Sequence, residues 1–466
     1  MARYGNVAAL GSESAVVAGV VNVTFGLGGH VNETMTEPVS DPETHEPPAV
    51  STTRRATDKP DRGQRALAFA SRYGTLVFLV VLLVLFTVLS EIVLSQQRFF
   101  TGANLSLVLR QSAVLAILAG GLTVVLILGE FDLSIAASLT LGGAMFAQIV
   151  QGTYVLTWPR IPFTGVGGGA VFGASWQSSI GFAVVATLLF GILLGLINGV
   201  VVSYFGVTAF IATLGIAGIV EGYLIRLTGG RSVQLPERVT NTAQGTLFGW
   251  TAPKSWLWHV RLFGGDFELN FSGLSLPLIA LAAVVVLGLL WTFLNHTEAG
   301  RKMDAVGGNP EASRLAGINV RRYRLMAFVL CAVVGSFAGI VLASGRTGSA
   351  VTLVGNQSSY LLQAFTACFL GAVTLREGEF HIVGTAVGVT LMTVTFSGLI
   401  ILGVPGYAQT VANGAILVAA LTFAGLARKA AARPDRNRHA SAGGGSVSTD
   451  AAATRDITHN NKGETP

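Results

Sequence analysis

The sequence predicts an all-α, polytopic membrane protein of about ten transmembrane helices. Three observations carry that reading. Of 466 residues, 51% are hydrophobic and only 12% charged, against roughly 25% charged in soluble domains. Mean hydropathy is +0.61. Long runs without charge recur at the length of about 20 residues that a hydrocarbon core about 30 Å thick demands of a helix.

Taken in chain order, residues 1–72 open the molecule with a Pro-, Thr-, Glu- and Ser-rich stretch (TMTEPVSDPETHEPPAVSTT) that cannot bury a core and reads as a disordered cytoplasmic tail. The apolar patch AVVAGVVNV within it lacks the charged flank of a signal peptide and is too short to span. Met35 begins a typical polar leader, so the chain is expected to start there; a native peptide from residues 3–30 found by mass spectrometry would overturn that expectation. The membrane domain covers 73–428. Its strongest spans are Gly74 to Leu94, Ile180 to Val202, Leu276 to Leu294, Tyr323 to Leu342 and Val383 to Leu402. Weaker ones are Leu107 to Gly129, Leu133 to Val150, Ala209 to Thr228, Leu361 to Val373 and Val411 to Leu426. Residues 429–466, rich in Arg, Ala, Gly and Ser, read as a second disordered cytoplasmic tail.

The basic residues sort by connector, and that sorting sets orientation. With the N-terminus inside, the inward segments 54–72, 296–324, 374–381 and 428–438 hold 18 Lys and Arg. The outward loops 95–106, 152–179, 229–274 and 345–358 hold 7, although they are longer. An even number of spans returns the C-terminus to the cytoplasm. The pI near 9.5 therefore reflects topology and does not point to nucleic acid.

Glycine is abundant inside the spans, with 58 in the chain. Small residues spaced by four let helix backbones approach in lipid. Gly191, Gly195 and Gly199, then Gly335 and Gly339, then Gly384 and Gly388 follow that spacing, which implies packing between helices of this chain ahead of a subunit interface.

Little else carries chemistry. Cys331 and Cys368 both fall within spans, with neither a disulfide framework nor zinc spacing. The seven histidines form no ligand pair, so neither a metal nor a catalytic group is expected. No phosphate-binding loop of the G-x-x-x-x-G-K-[ST] type occurs, so this chain is not expected to hydrolyse nucleotide. The stretch GVGGGAVFG at 165–173 lacks the strand and helix of a dinucleotide site and reads as a loop.

Three segments stand out. In GGNPEASRLAGINVRRYR (307–324) Asn309 suits a helix N-cap, Pro310 its first position, Glu311 its positive end, and Gly317 its stop. A helix of about seven residues, on the order of 10 Å long, is expected to stand free on the cytoplasmic side. It is marginal alone. Two readings remain at this point: a docking element for a partner, or an interfacial helix held on anionic headgroups by Arg314, Arg321, Arg322 and Arg324. In LILGEFDLSIAASL (126–139), Glu130 and Asp132 are either solvated at the cytoplasmic face, with Asp132 or Ser134 capping the next helix, or membrane-depth carboxylates facing a substrate; capping is the favoured reading. In GIVEGYLIRLTGG, Arg226 can snorkel outward, while Glu221 lies deeper and could line a pathway.

Together these segments resemble the permease subunits of bacterial ABC importers for monosaccharides, the family that includes ribose and xylose permeases. The resemblance runs from about Asn104 to Ala424. GEFDLSIAAS is similar to the family's I-D-L-S-V-G turn, INGVVVSYFGVTAFIATLG (197–215) to its N-G to T-L-G run, and LTGGRSV (227–233) to its T-G-G motif. AVGGNPEASRLAGINV (305–320), FLGAVTLREGEFHIVGT (369–385) and LGVPGYAQTVANGAILV (402–418) complete the order. Ala136, Phe131, Glu221 and Thr208 depart from the usual residues.

The resemblance implies a monosaccharide importer of the bacterial plasma membrane that works by alternating access. The partners it implies are a cytoplasmic ATPase holding the ATP and Mg, an extracytoplasmic sugar-binding protein, a second permease copy and membrane lipid. This chain itself then binds no cofactor. The segment at 309–318 corresponds to the family's coupling helix, so Asn309, Glu311, Ala312, Ser313, Gly317 and Ile318 are expected to dock on the ATPase. Asp132, Asn198 and Glu221 are the expected pathway residues. The alternatives are a related permease for nucleosides or branched-chain amino acids, and a secondary transporter driven by an ion gradient.

Overall fold

The computed structural model describes residues 62–94, 98–152, 179–231, 235–236, 239, 245–253, 255, 257–262, 265–345, 357–372 and 378–431. The alternative start at Met35, the glycine-rich 165–173 and the segment after residue 431 lie outside the described residues.

Each expected span contains a helix over most of its described length: α1 (Arg62–Leu94), α2 (Gly102–Ile127), α3 (Ile135–Val150), α4 (Ile180–Ser203), α5 (Ala209–Thr228), α6 (Leu278–His296), α9 (Val320–Ser344), α10 (Gln357–Ala372), α11 (Ile382–Ile401) and α12 (Gly406–Ala431). Two short helices, α7 (Glu298–Gly308) and α8 (Pro310–Leu315), fill the connector before α9. Helix α1 begins at Arg62, before the boundary at residue 72 that composition suggested. Among the described residues seven helices are long and apolar enough to cross a membrane: α1, α2, α4, α5, α6, α9 and α11.

Helices α2, α3 and α9 form the centre. All of α3 is buried, as is α2 from Ala113 to Leu126. Glycine makes that centre possible. A Cβ on Gly142 of α3 would lie 2.7 Å from the Ser336 Cα of α9, and one on Gly335 only 3.2 Å from the Ile135 carbonyl oxygen. Gly339 abuts the backbone at Leu139 and Gly143. Gly195 and Gly199 of α4 lie on Val329 and Leu325 of α9, while Gly384 and Gly388 of α11 face Gly371 and Ala367 of α10. All three glycine patterns therefore pack against helices of the same chain. Large apolar side chains on α1, α4, α5 and α6 point outward, among them Ile92, Leu189, Ile219 and Leu289, a surface that suits lipid.

The connector at 229–274 is more structured than a plain loop. Strand β1 (Thr246–Thr251) pairs antiparallel with β4 (Ser275–Pro277), and β2 (Leu257–Leu262) with β3 (Gly265–Asn270) in the register Leu257 opposite Asn270 to Leu262 opposite Gly265. Aromatic and β-branched residues in LWHVRL and GDFELN favour a hairpin locally. This connector is moored to the start of α2, where the Ser275 amide donates to Ser106 Oγ at 2.8 Å and Gly102 faces the Phe271 carbonyl.

Candidate functional site

The connector between α6 and α9 is built from local rules that can be read atom by atom. Thr297 caps α7 by accepting from the Gly300 amide at 3.1 Å. Asn309 then serves two helices. Its own amide donates to the Ala305 carbonyl at 3.1 Å, closing α7. Its Oδ1 accepts from the Glu311 and Ala312 amides at 3.1 and 3.0 Å, opening α8. Helix α8 stops in a Schellman motif: Gly317 takes φ +81°, its amide donates to the Arg314 carbonyl at 3.0 Å, and the Ile318 amide to the Ser313 carbonyl at 2.9 Å.

The helix is not free-standing, as the sequence suggested. It is coupled through Asn309 to α7, and α7 is seated on the bundle. Met303 and Val306 are completely buried, each burial contributing roughly 1.5–3 kcal/mol. Gly307 abuts the Ile127 carbonyl at the end of α2, and Gly300 the Leu294 carbonyl at the end of α6. Sequence periodicity missed α7 because only its inner face is apolar, so its average character is polar.

The six predicted docking residues divide between two faces. Ser313 is buried and Ile318 packs against the central cluster, so both anchor α8. Asn309, Glu311, Ala312 and Gly317 are exposed. Beside them lies Leu315, 86% exposed. A single exposed leucine is ordinary on a protein surface, but this one shares the exposed surface of α8 with Glu311 and Ala312. The sequence held that signal as an apolar residue out of phase with Ser313 and Ile318. The Arg314 and Glu311 side chains meet at 3.3 Å in the open, a contact worth little.

The turn between α2 and α3 lies beside this platform. Of its two acids, Glu130 is only partly exposed and Asp132 not at all. Glu130 pairs with Arg324 at the start of α9, Nε to Oε1 3.0 Å, so Arg324 serves this pair. Asp132 is wholly buried. Its Oδ1 accepts from the Ser134 amide at 2.8 Å and from Ser134 Oγ at 2.6 Å. Asn198 Nδ2 of α4 donates to Ser134 Oγ at 2.7 Å, and the Leu133 amide donates to Thr213 Oγ1 of α5 at 3.0 Å. Ser134 occupies the N-cap position of α3 without a side-chain cap bond; Asp132 instead folds back on Ser134 itself. The Cys331 thiol of α9, a weak donor, faces the carboxylate. Asp132 Oδ2 and Asn198 Oδ1 have no hydrogen-bond partner.

Two of the three expected pathway residues, Asp132 and Asn198, are thus brought together through Ser134, a residue that sequence spacing did not single out for that role. Glu221 is half-buried and stands eight residues beyond Thr213, about 12 Å along α5. Among the described residues no group of three or more His, Cys, Asp or Glu side chains is placed to hold a metal ion.

Comparison with known proteins follows this architecture. The family model described as branched-chain amino acid transport system / permease component matches residues 104–421. The chain is 32% identical over 347 residues to the ribose import permease protein RbsC of Escherichia coli, covering 74% of this chain and 91% of that protein. It is 30% identical over 347 residues to the galactose/methyl galactoside import permease protein MglC of Haemophilus influenzae, covering 74% and 92%. It is 30% identical over 360 residues to the xylose transport system permease protein XylH of Escherichia coli, covering 69% and 85%. No solved structure matches.

Proposed function

The chain belongs to the branched-chain amino acid transport system / permease component family, and from that premise we propose that it is the membrane-spanning permease of an ATP-driven importer of a monosaccharide. The relatives named above are permeases for ribose, galactose or methyl galactoside, and xylose, which favours a sugar over the branched-chain amino acids of the family description and over nucleosides. Its partners are a cytoplasmic ATPase, which binds the ATP and Mg, and an extracytoplasmic sugar-binding protein. A second permease copy completes the pathway in the plasma membrane, with both termini cytoplasmic.

The observation that carries the reading is the α7–α8 platform. The exposed face of α8, with Glu311, Ala312 and Leu315, meets the ATPase, while Gly307 seats α7 on the end of α2 and Met303 and Val306 bury into the central cluster. A push on α8 therefore arrives at the ends of α2, α6 and α9. Because α8 is closed at both ends by hydrogen bonds, it moves as a body, and the helices behind it switch between outward- and inward-open packing. An ion-coupled transporter has no use for such a platform. The buried Asp132, Ser134 and Asn198 cluster holds the ends of α3 and α4 together on the platform side.

The test is transport by the complete importer carrying Glu311→Lys. Insertion and thermal stability stay as in the wild type, because Glu311 is exposed, while uptake and the stimulation of ATP hydrolysis by loaded binding protein fall at least tenfold. Wild-type coupling in that variant would sink the assignment.

A further inference from the structure

The end of the bundle away from the platform is not filled. A cavity of about 590 Å³ opens between α2, α10, α11 and α12, with α6 and α9 behind it, within the usual range of ligand sites. It is lined on α2 by Leu107 to Leu115, which lie 12 to 20 residues before Ile127. At 1.5 Å per residue that is about 18–30 Å from the platform. Asp132, Asn198 and Glu221 do not line it.

Its wall has a distinct chemistry. Amides come from Gln111, Gln363, Gln409 and Asn413, hydroxyls from Thr393 and Thr410 among others, and aromatic rings from Tyr360 and Phe396. Amides and hydroxyls both donate and accept, as sugar hydroxyls do. No carboxylate stands among the described lining residues, so the ammonium of an amino acid would lose its hydration without a counter-charge. Arg110, the one charged residue among the described lining, is already engaged in a contact of its own. Parts of the wall are held in place: Thr366 Oγ1 donates to Asn413 Oδ1 at 3.3 Å, orienting that amide, and the Ser112 and Thr393 hydroxyls bond at 2.8 Å, tying α2 to α11.

We propose that this cavity receives the solute, an uncharged polyhydroxy compound of monosaccharide size, and that Gln363 and Asn413 are its recognition groups. The proposal rests on the importer reading above and moves the pathway away from Asp132, Asn198 and Glu221, which the sequence suggested.

The complete importer, in proteoliposomes with its ATPase and binding protein, supplies the test. D-ribose, D-xylose, D-galactose, L-leucine and adenosine are the probes, first for uptake by the wild type. Single cysteines are then introduced as Gln111→Cys and Thr410→Cys, both exposed positions, with Ala103→Cys outside the cavity as control. The native Cys331 and Cys368 are buried and contribute little labelling by a membrane-impermeant maleimide. The transported sugar slows labelling at residues 111 and 410 at least fivefold and leaves residue 103 unchanged, and Gln363→Leu lowers uptake at least tenfold. If the wild type imports leucine or adenosine and none of the sugars, the sugar reading fails and this assignment with it. If a sugar is imported but does not protect residues 111 and 410, the cavity assignment alone is overturned, whether or not Gln363→Leu transports.

Discussion

The two ends of the bundle are built on opposite terms. At the platform end the described α2–α3 and α6–α9 connectors are closed: Asn309 caps α8 and ends α7, Met303 and Val306 are fully buried, Glu130 meets Arg324, and Asp132, Ser134 and Asn198 form a buried polar knot. At the far end α2, α10, α11 and α12 part around a cavity walled by amides and hydroxyls. A closed, capped end transmits displacement without deforming, because packed interfaces switch between discrete arrangements and do not stretch. An end with room and with polar groups that satisfy many hydroxyl patterns can pass a solute without holding it tightly. Under the proposed function, stiffness and space at opposite ends of the same helices turn a push on one into a change of access at the other.

Three substitutions break that contrast, in falling order of effect. Gly339→Val strikes the axis the two ends share. A side chain there runs into the backbone at Leu139 and Gly143, overpacking that typically costs about 1–3 kcal/mol and more when backbone must move. Monodisperse protein recovered in detergent should fall sharply, and recovery equal to the wild type would show that α3 and α9 can separate. Leu315→Arg acts on the platform end alone. At 86% exposure the leucine contributes nothing to the fold, so the melting temperature stays within a few degrees while stimulated ATP hydrolysis drops at least tenfold; an unaltered rate would mean the partner seats elsewhere. Asn309→Ala is the mildest. Losing a cap costs about 1 kcal/mol, which loosens α8 without removing its contacts, so coupling falls about fivefold. Asn309→Asp keeps the accepting oxygen and restores coupling, whereas an alanine variant with full coupling would show that α8 stays ordered without its cap.

The segments around Asn309 and Asp132 differed in how much of them could be read in advance. Helix α8 was legible almost to the residue, because an Asn cap, a proline in the first turn and a glycine at positive φ act within a few residues of each other. Leu315 lies in the same stretch, yet only its 86% exposure separates it from an ordinary buried leucine. Around Asp132 the local rules offered a solvated cap or a carboxylate facing a substrate, and the solvation fails because the side chain is wholly buried. Its environment is set by Asn198, Thr213 and Cys331, which arrive from α4, α5 and α9.

Apolar length and charge sorting by themselves determined an all-α, multi-pass chain with about ten helices in these places, since the cost of exposing peptide groups and charges to hydrocarbon leaves few other solutions. Glycine spacing determined that helices would meet closely within the chain. Which helices meet, which acids become buried, that α7 supports α8, and where space is left for a solute were decided only by the tertiary structure. Those properties belong to pairs of residues far apart in the chain, and no local propensity encodes the distance between them.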